Sequence, residues 1–90
     1  MQNSIFEIMG QKLVDDKVFG DNAIRGVATD IINIPDTDFP DITYGYKVPV
    51  TVEMRDGSVE QKNVLFKTYK DVFEDFMNND PEYIRRVVVL

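Results

Sequence analysis

Ninety residues, 43% of them apolar and 29% charged, suffice for one small folded domain over residues 1–90 and are too rich in apolar side chains for a disordered chain. Sixteen acids against ten bases leave a net charge of −6, which opposes sequence-independent binding to nucleic-acid phosphates and favours attraction to a basic partner surface. Without histidine or cysteine the chain can build neither a Ser-His-Asp or Cys-His catalytic site nor the usual zinc centres, and no disulfide can form, which in so short a chain points to the cytoplasm.

No apolar run approaches the ~20 residues of a membrane-spanning helix. Met1-Gln2-Asn3-Ser4 lacks the basic start and apolar stretch of a signal peptide. Ser4 and Glu7 stand at the spacing of a capping box, in which each side chain satisfies a backbone amide of the other. Ile5, Ile8, Met9 and Leu13 follow at helical intervals, so a short amphipathic helix is predicted to near Val14. Gly10 weakens it by roughly 1 kcal/mol relative to alanine.

The next segment reads two ways. Ile24, Val27, Ala28, Ile31 and Ile32 repeat at helical spacing behind Asn22, a good cap. Gly26 and the β-branched Val27, Thr29, Ile31, Ile32 and Ile34 suit a strand instead. A strand from Arg25 to Ile34 is the preferred prediction, because a hairpin needs a third strand to be stable, and the helical alternative stays open. Two prolines and three aspartates between Pro35 and Asp41 then forbid regular structure.

The clearest signal runs from Tyr44 to Thr68. Tyr44, Tyr46, Val48, Val50, Val52 and Met54 alternate with mostly polar residues, so one face meets a core and the other meets water. Arg55-Asp56-Gly57-Ser58 is the turn, with Gly57 free to take a positive φ. A two-residue loop would set Glu53 against Glu60, which like charges disfavour. A three-residue loop with Gly57 in a bulge sets Val48 opposite Val64 and Tyr46 opposite Phe66, and is preferred. Pro49 lacks a ladder donor, so the strand lies at an edge or Pro49 sits where no partner is needed.

Thr68 is the predicted cap of a second amphipathic helix, with Tyr69, Val72, Phe73, Phe76 and Met77 as its apolar stripe and Lys70, Asp71, Glu74 and Asp75 opposite. Asn78-Asn79-Asp80-Pro81 stops it. Tyr83 to Leu90 reads as a strand whose last four residues, apolar on both faces, suit a central position or one completed by another chain. The predicted fold class is therefore α+β: a single small domain with a short N-terminal helix, a three-stranded antiparallel meander, a C-terminal amphipathic helix and a final strand.

No cofactor is implied, and the five glycines, at 10, 20, 26, 45 and 57, form no phosphate-binding loop. Asp36, Asp38 and Asp41 offer hard oxygen ligands at a spacing that could serve calcium, but the glycine and distal glutamate of an EF-hand are missing. Turn-capping by these aspartates is the plainer reading. Together with Asp30 they make one acidic group; Asp71, Glu74, Asp75, Asp80 and Glu82 make another. Brought together, the two could meet a basic groove as a nucleic-acid mimic does. Tyr44, Tyr46 and Tyr69 among Lys47, Lys62, Lys67 and Lys70 could instead stack on bases, but core packing and the net charge oppose direct nucleic-acid binding. The expectation is a non-enzymatic module that binds another protein through Asp36, Asp38, Asp41, Asp71, Glu74, Asp75, Asp80 and Glu82, compatible with an inhibitor or accessory protein of the type mobile elements encode. The alternatives are a structural subunit that forms homodimers through Val87–Leu90, or a calcium-binding domain.

Overall fold

The computed structural model describes residues 4–34, 45–68, 70–78 and 80–90, with the backbone alone at Phe73, Asp75 and Pro81. At its centre is the hairpin of β3 (Tyr46–Met54) and β4 (Val59–Phe66). Val48 faces Val64 and Tyr46 faces Phe66, the register that keeps Glu53 and Glu60 apart. Met54 donates its N–H to the Ser58 carbonyl at 2.8 Å and Gly57 donates to the Met54 carbonyl at 3.0 Å, closing the three-residue loop. Gly57 supplies the left-handed backbone that this turn requires, at φ +88°. Val48, Val50, Val52, Val64 and Phe66 are fully buried on the inner face.

The segment before the hairpin is extended, but broken in two. β1 (Ala23–Ala28) and β2 (Ile32–Asn33) both pair antiparallel with β3 on the same side. The break falls opposite Pro49. Thr29 donates to the Pro49 carbonyl at 2.9 Å, whereas proline has no N–H to return. Asn63, which faces Pro49 across the hairpin, turns its own carbonyl the other way, to the Leu90 N–H at 2.8 Å. Backbone groups alternate between neighbours, so the proline nitrogen points into the gap between β1 and β2. β3 is thus a central strand, and Pro49 occupies the one kind of position there that needs no partner.

α1 (Ile5–Asp15) starts as the capping pattern requires, with the Ser4 hydroxyl accepting the Glu7 N–H. Met9, Leu13 and Val14 enter the core from it. The helix lies so close to β1 that a Cβ on Gly10 would come within 2.5 Å of the Gly26 carbonyl oxygen, and one on Gly26 within 2.7 Å of the Gly10 oxygen. Along the chain, both glycines look like weaknesses. In space they are the seat of the helix on the strand.

The C-terminal third departs most from expectation. Thr68 does act as a cap, its hydroxyl accepting the Asp71 N–H at 3.1 Å. It leads into a single π-helical turn, Asp71–Asp75, in place of a longer α-helix. The wider winding of this turn, with Phe76 donating to the Asp71 carbonyl at 3.1 Å, stacks residues five apart. Asp71 therefore joins Val72 and Phe76 on the buried side rather than the solvent side. Tyr69, also predicted on that stripe, lies outside the described residues, as does the Phe73 side chain.

Asp80 then caps a 3-10 helix, Pro81–Arg86, where a strand is predicted from Tyr83. Pro81 is preset for the first helical position, and Asp80 accepts the Glu82 N–H at 3.0 Å, so local chemistry favours the helix. The helical turn also swings Tyr83 into the core against Phe66 and Phe76, with ring centroids 6.3 and 4.9 Å away. Only β5 (Val88–Val89) remains extended, antiparallel to β4. It stands at the edge of the five-stranded sheet, not at its centre. The fold is α+β, a helix and an antiparallel sheet of order β1-β3-β4-β5, with β2 beside β1 along β3.

Candidate binding surface

The acidic residues singled out in the sequence occupy several different settings among the described residues. Asp36, Asp38 and Asp41, the loop weighed for calcium, lie outside those residues. Asp30 is exposed and accepts the N–H of Ile31 at 2.7 Å, a local turn contact. Asp71 is 5% exposed and receives the Arg86 Nε–H at 2.7 Å. Asp80 is committed to its cap, and Glu82 pairs with Arg85 at 3.6 Å. Glu74 is exposed, and the side chain of Asp75 lies outside the described set. Among the described residues, no three acidic side chains converge as metal ligands would.

The sheet offers a different surface. α1 and the C-terminal turns bury its inner face, while the outer face presents Arg25, Val27, Thr51, Glu53 and Val59 around a shallow recess of about 230 Å³. Val59 is 62% exposed, the most exposed of the large apolar side chains described. It also lies on an open strand edge. Asn63 meets Leu90 across that edge, so by alternation Val59 and Gln61 aim their backbone groups the same way. No strand stands beside them among the described residues. A strand edge of this kind can take an extended segment by β-augmentation, in which main-chain bonds supply affinity and side-chain pockets supply choice.

The opposite edge, along β1, is closed. The Gln11 side-chain amide donates to the Ile24 carbonyl and accepts the Gly26 N–H, both at 3.4 Å, so one side chain takes the place of a neighbouring strand. The Gly26 carbonyl lies against the backbone at Gly10. No protein-family model matches the chain, and no curated protein or solved structure matches it either. The surface must therefore be read from its own chemistry.

Two part-buried polar contacts fix the C-terminal segment that ends in β5. The Tyr83 hydroxyl donates to Asp16, at the C-terminus of α1, at 2.6 Å. Burial, followed by the hydrogen bond and the nearby Asp16 charge, pushes the phenol far above its ordinary pKa. Arg86 holds Asp71 in the same way that Asp16 holds Tyr83. Neither pair is visible as spacing in the sequence. The only signals are Tyr83 in an otherwise aliphatic tail and an arginine pair just before it turns apolar.

Proposed function

We propose that this chain is a non-enzymatic acidic binding module whose partner is another protein, met at the open half of the sheet. The observation that carries this reading is the edge of β4 at Val59 and Gln61, unpaired among the described residues, beside an exposed apolar side chain. An edge left open next to an apolar recess invites a partner strand, and folded chains normally blunt such edges. The net charge of −6 favours a partner with a basic surface and makes the encounter faster at low salt. Inhibition would then follow from occupying that basic surface. The two carboxylate groups that could mimic a nucleic acid contribute less to it, because Asp71, Asp80 and Glu82 are engaged in local structure.

A photo-crosslinking residue placed at Val59 tests the reading in the native host, with the same residue at exposed Lys17 as the control. A discrete adduct at 59 that weakens as salt rises is the expected result. Equal labelling at both positions would sink the proposal.

A second reading rests on β5. Val88–Val89 is an edge strand, with Val89 37% and Leu90 50% exposed, so a second copy could add to it. Sedimentation across a wide concentration range decides this reading: a monomer throughout removes it.

A further inference from the structure

We propose that Asp56-Gly57, at the tip of the hairpin, is a site of spontaneous isoaspartate formation that Ser58 holds in check. The chemistry needs no partner molecule. The Gly57 nitrogen attacks the side-chain carbonyl carbon of Asp56, a C–N bond forms, and the carboxyl oxygen leaves as water. The resulting five-membered succinimide is opened again by water. Attack at the side-chain carbonyl restores aspartate, and attack at the main-chain carbonyl routes the chain through the side chain. One water leaves and one enters, with no change in oxidation state.

The tip is built for the first step. Asp56 and Gly57 are exposed, and nothing lies within 4 Å of where a side chain on Gly57 would be, so neither residue crowds the ring. Glycine at the attacking position removes the usual steric shield. Two contacts oppose closure. Gly57 commits its N–H to the Met54 carbonyl at 3.0 Å, which holds the nucleophile in the turn. The Asp56 carboxylate is turned onto Ser58, with one oxygen accepting the Ser58 N–H at 2.9 Å and the Ser58 hydroxyl at 2.6 Å. Loss of water requires the protonated acid, and these donors favour the ionised form. The Ser58 hydroxyl bond is foremost in lowering the Asp56 pKa, with the Ser58 amide next. Ser58 thus fixes both the direction and the charge of the group that must react. The consequence of escape is structural: an added backbone carbon at the tip would break the closing bonds between Met54 and Ser58.

Peptide mapping with fragmentation that distinguishes isoaspartate tests this directly, on wild type, Ser58→Ala, Ser58→Thr and a short unfolded peptide carrying residues 50–62. The folded wild type is expected to convert severalfold more slowly than the peptide. Ser58→Ala should recover most of that difference, and Ser58→Thr, which keeps the hydroxyl, should stay near wild type. Circular dichroism confirms that the variants fold. A Ser58→Ala rate equal to wild type overturns the role of Ser58. No isoaspartate in any folded form, or a folded wild type that matches the peptide, overturns the proposal as a whole.

Discussion

The two sides of the sheet solve one problem in opposite ways. Along β1, α1 lies close enough for the Gln11 amide to satisfy Ile24 and Gly26, and the edge is sealed. Along β4, the short β5 covers Val64 and Leu65 and stops, and among the described residues no strand pairs with Val59 and Gln61 on that side. An unpaired edge is a template for another strand, so under the proposed function a partner strand would add on the β4 side. On the sealed side the close seat rests on two glycines. Only their missing side chains let a helix approach β1 this closely.

The largest predicted effect breaks the sealed side. In Gly10→Ala the new Cβ would sit 2.5 Å from a backbone carbonyl oxygen, where no flexible side chain can yield. Overpacking should cost roughly 3 kcal/mol, at the upper end of the usual range, outweighing the ~1 kcal/mol that alanine gains as a helix former. Urea denaturation measures the balance. A stabilised Gly10→Ala protein would show that the helix does not seat this closely on β1.

The next two predictions concern the segment that delivers β5 to the open side. Arg86→Met leaves Asp71 buried without its cation. Breaking a buried pair costs about 3–5 kcal/mol, but the Arg86 side chain is 35% exposed, so roughly 2 kcal/mol is expected from thermal or chemical unfolding. A stability equal to wild type would mean that Asp71 is solvated. Tyr83→Phe removes one hydrogen bond and should cost roughly 1 kcal/mol at neutral pH. Its signature lies at high pH. The phenol binds its proton more tightly in the folded state than in the unfolded state, whose value is near 10. Its contribution is therefore complete below about pH 10 and is lost as pH rises above it, by ~1.4 kcal/mol per unit. The difference between wild type and Tyr83→Phe should shrink and then reverse above that pH. A constant difference would show that the tyrosine titrates normally.

How far the sequence reveals this fold depends on whether the determining contacts are local. The hairpin register followed from alternation and from one like-charge clash, Glu53 against Glu60, both readable within a single hairpin. The strand before it was legible as a strand, while its break was not, since that required knowing that Pro49 faces the same neighbour. Asp71 illustrates the opposite limit. Its polarity and its place opposite an apolar stripe point to solvent, whereas Arg86, in the next helical turn, makes its burial tolerable. The same distance effect hid the surface. Charge patterning points to carboxylates, several of which are engaged in caps and pairs, whereas the edge at Val59, open among the described residues, is a property of topology and has no residue signature.

The smallest energetic effect gives the sharpest test of the comparison. Gln11 is partly exposed and its two bonds to β1 are long, at 3.4 Å, so Gln11→Ala should cost less than about 1 kcal/mol. Its consequence should appear elsewhere. With the amide gone, the Gly26 N–H loses its acceptor and should exchange with solvent markedly faster, while the amides of β3, bonded on both sides, keep their protection. The Ile24 carbonyl is freed as well, so β1 would resemble β4 as an open edge, and sedimentation should show more self-association than in wild type. If instead the Gly26 amide exchanges at the wild-type rate, the close backbone approach at Gly10 is what seals that edge, and the side-chain amide is incidental. Either rate identifies which atoms make one side of this sheet closed, and so what the other side lacks.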